Sequence, residues 1–497
     1  MTLRVLNTLS GEREVFEPAD PEEVLLYYCG LTVSDEAHLG HARTWVHVDV
    51  IHRWLEHLGY GVRHVENVTD VNEKIVARVG ERAGDGTVGD SERDVARRFI
   101  DRLFSDMRSL NLERAEVYPR VTEHVPEIID LVETLVEEGY AYESGGSVYF
   151  DVTAFPDYGA LSNQRLEDLE AQGPEDERAE KHNPADFALW KAGGVEPTAI
   201  EEHRHEARTY DADEPEGETW DSPWGEGRPG WHVECSAMSM AHLGATIDVH
   251  MGGRDLVFPH HENEIAQSEA ATGQQFARYW LHADLLGVDD EKMSSSRGNF
   301  IPVAEAVDRF GVDPLRMFFL SASYNSTQTY SEAAIEEAIE RWDRLRTAYD
   351  RAAAAAADPA ARTKADSELP DRAASTREAF TEAMNDDFNT REALSALFEL
   401  SSAVNSYLDD AETYDYRGLR ATVEVFEDLG GDVLGFEFTG EADGEVTLAG
   451  ELVELVLDVR EREREAGNYE RADALRADLQ ALGVEVQDTD DGPTYDV

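Results

Sequence analysis

Short apolar runs and helical patterns alternate from the start of the chain. Residues 24–30, VLLYYCG, are an apolar run closed by glycine, which predicts a strand buried on both faces of a parallel sheet. After the polar turn LTVSDEA, apolar positions recur at helical spacing through Trp45, Val48, Ile51, Trp54, Leu55 and Leu58. Residues 61–71, GVRHVENVTDV, read as the next strand and turn and complete a β-α-β unit. From Asn72 to about Ala141 the pattern is mostly helical, through Val95, Phe99, Leu103 and Met107 and again through Ile128, Leu131 and Leu135. Tyr140 to Val152 predicts a hairpin turned at Gly145 and Gly146.

Between about Glu167 and Pro229 the periodicity lapses into an acidic stretch with many Gly and Pro residues, broken only by FALWKA. It reads as a mobile surface insertion whose role is solvation, with His203 and His205 solvated rather than bound to metal. Order resumes at GRPGWHVECSAMSMAHLG, with Cys235 where WHVEC gives way to a helix, and TIDVH predicts a strand ending at His250. Pro302 to about Leu434 reads as helices, and the tail as one or two short helices and a terminal strand. The expected fold is therefore α/β, a Rossmann-like domain with an insertion, then an α-helical bundle and a small C-terminal domain. The expected boundaries are 1–125 and 230–290 for the two halves of the Rossmann-like domain, 126–229 for the connective insertion, 291–335 for a loop region containing Lys292, 336–435 for the bundle and 436–497 for the last domain.

Composition narrows this picture. The 497 residues exceed one ordinary core. No run of eighteen apolar residues occurs and MTLRVLNTLSGERE lacks a signal-peptide core, so a cytoplasmic protein without membrane contact is expected. Two cysteines in such a chain serve a metal, catalysis or packing more often than a disulfide. The 105 acidic residues against 44 basic ones give a net charge of −61, and only five of the cations are lysines. A disordered acidic chain is a poor fit, because 41% of residues are hydrophobic. The pattern resembles haloarchaeal cytosolic proteins, in which molar salt screens repulsion beyond roughly 3 Å.

The chemistry gathers at predicted strand ends. In DVHMGGRDLVFPHHENEIAQS, a helix opening after Pro259 would set His260 and Glu264 four apart on one face, within reach of one metal ion. Cys29 and Cys235 complete a zinc proposal of two thiolates, an imidazole and a carboxylate. His38-Leu39-Gly40-His41 falls at the start of the first helix, where free N–H groups and a positive dipole end suit phosphate, two imidazoles can donate further bonds, and Gly40 lets a nucleotide approach. Asp255, beside Gly252 and Gly253, is the ribose candidate. Trp231 is either a core residue or a flat face for a base or substrate. Lys292, one of so few lysines, sits in KMSSSRGN, where it can neutralise charge building on a triphosphate.

HLGH at this strand-to-helix turn resembles the His-Ile-Gly-His signature of class I aminoacyl-tRNA synthetases, and KMSSS resembles their Lys-Met-Ser-Lys-Ser, with Ser295 where the family has its second lysine. Charge stabilisation at the loop then falls to Lys292 or Arg297. The ordered series Cys29, HLGH, GWHVECSAM, HMGGRDLVFPHHENE, KMSSSRGN, MNDDFNTREAL and YERADALRADL resembles the cysteinyl-tRNA synthetases along nearly the whole chain, with the acidic segment around 193–219 as an addition. The resemblance implies ATP-dependent activation of L-cysteine and its transfer to tRNA(Cys), with Zn(2+) selecting the substrate thiol and Mg(2+) accompanying ATP. His38, His41 and Lys292 would hold the phosphates, with Gly40, Asp255 and Ser295 also at the ATP site. Trp231 and His250 would wall the amino-acid pocket, and a monomer is expected. Two rivals stand beside this reading. One is a cysteine ligase acting on an amino sugar, against which the long C-terminal region speaks; the other is a zinc- and nucleotide-binding regulator without turnover, which the Ser295 departure favours.

Overall fold

The computed structural model describes residues 2–438 except 84–85, 170–178, 206–207, 213–214, 289–290, 293–299, 359–366 and 412. Beyond these it describes 460, 471, 475–476, 485–489 and 492–496. Two compact units result, Met1–Phe436 and Glu437–Val497. The second contains an antiparallel hairpin, Glu485–Thr489 with Gly492–Asp496, where a single strand was expected.

A four-stranded parallel sheet lies at the centre of the first unit, in the order Ala277–Ala283, Ile247–Gly253, Glu23–Tyr28, Gly61–Glu66. The predicted β-α-β unit is present, its crossover being the helix Leu39–His57. The chain builds outward from Glu23–Tyr28 to one side and later from Ile247–Gly253 to the other. The carboxyl ends of these two neighbours therefore flank a crevice where the strand order reverses, the place where open α/β sheets bind ligands. The strand after Ala245 runs beyond the expected end at His250, through both glycines to Gly253, because all seven of its residues pair with the flanking strands or are enclosed by them.

The stretch expected to be a solvated insertion is instead largely structural. Phe187–Ala192, the FALWKA run, is the middle strand of a five-stranded antiparallel sheet, between Gly225–Pro229 and the hairpin strand Ser147–Phe150. Phe187, Leu189 and Trp190 are buried with Ile128, Val132 and Leu135 from the helix Val125–Glu137, and with Val233 and Ala266 from the catalytic half. Each such side chain contributes about 1.5–3 kcal/mol when removed from water. This insertion also grips the sheet's last helix: Gly159 N and Ser162 N donate to Glu262 at 2.9 and 2.8 Å. A second departure is small: a two-stranded ribbon, Arg82–Ala83 with Gly86–Thr87, interrupts the helices expected between Asn72 and Ala141.

Helices follow the sheet as predicted, among them Glu332–Ala357, Leu369–Met384, Thr390–Asp410 and Tyr416–Val425. Wholly buried Arg43 ties the first helix to the chain entering this bundle, donating to the carbonyls of Ser323 and Ser326 at 2.9 and 2.6 Å and to Gln328 Oε1 at 3.0 Å. No helix among the described residues is long and apolar enough to cross a membrane.

Glu66 ends the strand beside the crevice and accepts a bond from Trp45 Nε1 at 3.1 Å. Burial pushes its pKa up to about 8, against the lowering effect of that bond. A carboxyl raised on folding favours the protonated folded state, so its contribution to stability is full below about pH 4.3 and is lost as pH rises through about 8. Glu66→Gln keeps an acceptor for Trp45 without the charge. Thermal scans from pH 5 to 9 are expected to show a gain for the variant that grows with pH, by at most about 1.4 kcal/mol per unit. A constant difference across the range would refute the buried-charge account.

Candidate active site

Four side chains from three separate stretches meet at the sheet edge. Cys29 follows the Glu23–Tyr28 strand, fixed by its own N–H to Met251 O at 2.9 Å, while the next amide, Gly30 N, donates to Asn67 Oδ1 at 2.8 Å. A Cβ at Gly30 would lie 1.9 Å from Asn67 O, so only glycine permits this turn. Cys235 lies on the helix Trp231–Leu243, which begins four residues earlier than expected. His260 precedes, and Glu264 opens, the helix Glu262–Thr272. The donor atoms of Cys29, Cys235, His260 and Glu264 all fall within 4.8 Å of one another. The two sulfurs are 3.7 Å apart, Cys29 Sγ is 3.4 Å from His260 Nε2, and His260 Nε2 is 3.0 Å from Glu264 Oε1.

These residues fit a tetrahedral metal ion. Two thiolates bound at about 2.3 Å with tetrahedral angles stand about 3.8 Å apart, close to the spacing found. Glu264 Oε1 is fully buried without an aligned hydrogen-bond donor, a costly arrangement that a cation relieves. Electrostatics agree with the donor set. The Cys29 contact and burial push Cys235 well above the ordinary thiol range. Burial disfavours the imidazolium of His260, yet Cys235 and Glu264 beside it raise its pKa to about 10. Glu264, despite burial, falls to about 2 beside His250 and His260. A metal binding here displaces the thiol and imidazole protons.

A layer of histidines stands behind the four donors, and sequence reasoning missed most of it. His232 Nδ1 meets His260 Nδ1 at 2.9 Å, which fixes the ring that presents Nε2 to the cluster. Burial holds His232 well below its usual pKa, so it is neutral. His261 Nδ1 meets His282 Nε2 at 2.8 Å, and His282 Nδ1 meets Thr8 Oγ1 at 2.8 Å. The one available signal was His232 standing three residues before Cys235, a helical spacing. His250 corrects an expectation. It does not line the cavity but is wholly buried in mid-strand, stacked 4.2 Å from Trp280, with Nε2 at 2.9 Å from Glu264 Oε2. It orients Glu264 instead.

Cys29 and Cys235 face a cavity of about 1700 Å³. Trp231, 41% exposed with its ring 4.6 Å from that of His260, lines the same cavity. His38, Gly40, His41, Asp255 and Gly253 line the same cavity. His38 caps the first helix: its Nδ1 accepts from Gly40 N at 3.1 Å, while His41 Nδ1 accepts from His38 N at 3.2 Å, and the rings stack 3.8 Å apart. An Nδ1 that accepts leaves the proton on Nε2, so each neutral ring is an Nε2–H donor. A Cβ at Gly40 would meet the His38 ring at 2.9 Å. His205, expected in solvent, also lines this cavity and contacts Arg78 at 2.6 Å and Asp35 at 3.3 Å.

The backbone of Lys292 pairs with Gly287, and the chain re-enters beside the helix start, where His38 bridges Pro302 and Leu39 N donates to Ile301 O at 3.1 Å. The chain that follows the second predicted signature is thereby brought to the first, at Ile301 and Pro302. The Lys292 side chain, Ser295 and Arg297 lie outside the described residues.

Comparison with known proteins is consistent with this geometry. Residues 15–340 match the family of tRNA synthetases class I (C) catalytic domain, 379–439 a DALR domain, and 450–495 a cysteinyl-tRNA ligase anticodon binding domain. The chain is 64% identical to a cysteine–tRNA ligase of Haloarcula marismortui over 497 residues, all of both chains. It is 61% identical to one of Halobacterium salinarum, over 99% of each. It is 43% identical to one of Thermococcus onnurineus, covering all of this chain and 99% of that one. Among solved structures, a Mycobacterium tuberculosis methionyl-tRNA synthetase in complex with methionyl-adenylate superposes with a TM-score of 0.61 at 18% identity, over 88% of this chain and 94% of that one, a likeness of fold.

Proposed function

The chain belongs to the cysteine–tRNA ligase family of ATP-dependent class I enzymes, and we propose how its residues divide that work. In the first step a carboxylate oxygen of L-cysteine attacks the α-phosphorus of ATP and pyrophosphate leaves. A hydroxyl of the terminal adenosine of tRNA(Cys) then takes the cysteinyl group, and AMP leaves. The observation that carries the assignment is that one cavity is lined both by Cys29 and Cys235, the two thiols of the four-donor cluster with His260 and Glu264, and by His38, Gly40 and His41 of the capped helix start.

His38 and His41 donate from Nε2 to phosphate oxygens at the positive end of the helix dipole, while Gly40 leaves room for the nucleotide. Asp255 accepts from ribose hydroxyls, and Lys292, with the Ser295 segment, meets the leaving pyrophosphate. Trp231 covers the amino acid, and His250 and His232 hold Glu264 and His260 in place. A zinc ion held by Cys29, Cys235, His260 and Glu264 would supply a soft site that takes a thiol in preference to a hydroxyl. That preference is needed, since packing against one small side-chain difference gives only about 1–3 kcal/mol. Magnesium accompanies ATP. We propose a monomer in the cytoplasm as the working unit. The match at 450–495 favours tRNA over an amino sugar as acceptor.

Exchange of labelled pyrophosphate into ATP in concentrated KCl tests this reading. Exchange is expected with cysteine and at background with serine or no amino acid. Equal exchange with serine would remove the metal as selector, and silence in every lane from folded, zinc-loaded protein would favour the regulator without turnover.

A further inference from the structure

Of the nine described arginines between residues 336 and 435, five have found an acid and four, Arg341, Arg344, Arg391 and Arg417, have not. Arg346, Arg351, Arg372, Arg377 and Arg420 each pair with a carboxylate. Arg341, Arg344 and Arg391 pair with none among the described residues, although Glu337 and Glu340 stand four residues before Arg341 and Arg344, the favoured helical order for an ion pair. Arg341 and Arg344 turn instead onto one half-buried ring, with guanidinium carbons 5.1 and 5.2 Å from the centre of Phe398. Arg391 lies on the helix that carries Phe398, seven residues away and so on the same face. Burial lowers the pKa of Arg341, Glu337 nearby raises it, and the charges of Arg344 and Arg391 lower it further.

Three like charges gathered in a chain of net charge −61 repel one another and need a reason. Arg341 has a local one: Nη1 donates to Ser321 Oγ at 2.9 Å, at the negative end of the helix Val312–Leu320. Arg344 and Arg391 are exposed and have no such contact. Cation–π stacking holds a guanidinium by its face and leaves its N–H edge pointing outward, the fork that matches phosphate oxygens. We propose that Arg341 and Arg344 on the Phe398 ring, with Arg391 on the same face of the Phe398 helix, form a docking site for the phosphodiester backbone of the tRNA, distinct from the nucleotide cavity. This rests on the tRNA ligase reading and names the part of the bundle that meets the RNA.

The test uses the full chain as wild type, Arg344→Gln/Arg391→Gln, and Arg420→Gln as a control that removes an exposed, acid-paired arginine. Cysteine-dependent pyrophosphate exchange needs no tRNA and is expected to stay within twofold in all three. The KM for tRNA(Cys) in charging, and its Kd by filter binding, are expected to rise about tenfold in the double variant alone, with the gap narrowing as KCl rises. Unchanged tRNA affinity in the double variant would overturn the site, as would an equal loss in Arg420→Gln, which would reduce the effect to net charge. A wild type that neither exchanges nor charges would overturn the functional reading instead; filter binding, which needs no turnover, then still decides the arginine site.

Discussion

Cys235→Ala is expected to leave the protein with less than about a tenth of an equivalent of zinc, and to lower cysteine-dependent pyrophosphate exchange by at least about 10³-fold, or about 4 kcal/mol. The wild type is expected to hold one equivalent. Cys235 lies in the second turn of a well-buried helix, and alanine is the best helix former, so the helix persists and the change is confined to the lost thiolate. What remains is Cys29, His260 and Glu264, a three-donor set whose Glu264 oxygen already lacks an aligned partner. The loss of exchange should exceed that for Glu264→Gln, which keeps both sulfurs, and should be matched by a chelator that strips the wild type. Metal content by elemental analysis separates this account from a purely steric one. A variant that keeps its zinc and loses exchange would assign Cys235 to substrate packing, and one that loses zinc but keeps exchange would remove the metal from selection.

The cluster of Cys29, Cys235, His260 and Glu264 was legible because each residue carried a local signal. His260 and Glu264 stand at helical spacing, and two cysteines in so long a chain are too few to be incidental, even though the fold alone brings residues 29 and 235 together. HLGH was legible for the same reason, as a tetrapeptide placed between a clear strand and a clear helix. The FALWKA strand was misplaced because acidic, Gly- and Pro-rich flanks hid a continuous apolar run of the kind that fills a sheet centre. His250 was misplaced because the end of a strand is set by its neighbours' hydrogen bonds, which no local pattern records. The histidine layer had almost no signal: His261 and His282 come from different elements and meet only in three dimensions. Buried arginine is the hardest case. Arg43 and Arg316 are both wholly buried, and a residue that usually faces water gives no hint in sequence that carbonyls and one aspartate will enclose it.

Arg316 leads to the second large effect. Its Nη2 meets Asp49 Oδ2 at 2.5 Å, Nε reaches Leu434 O at 3.0 Å and Nη1 reaches Leu110 O at 3.0 Å. Asp49 also accepts from Arg53 Nε at 3.0 Å and Glu113 N at 2.8 Å. This node joins the helix that starts with HLGH to the helix Val312–Leu320 and to the last turn of the bundle. Asp49→Ala leaves a buried guanidinium with carbonyls but no counter-charge, and is expected to destabilise the Met1–Phe436 unit by about 3–5 kcal/mol. Arg316→Met alone strands the carboxylate less severely, since Arg53 remains beside it. The double variant should therefore cost less than the sum of the singles, by about 0.5–3 kcal/mol. Calorimetry on the full chain reads this as an early shift of the larger transition, and the shift should be the same in dilute and concentrated KCl, because salt does not reach a wholly buried pair. A loss below about 1 kcal/mol for Asp49→Ala, or one that KCl abolishes, would mean that the carbonyls alone hold Arg316, and that the joint between catalytic helix and bundle is a hydrogen-bonded one with no need of the charge.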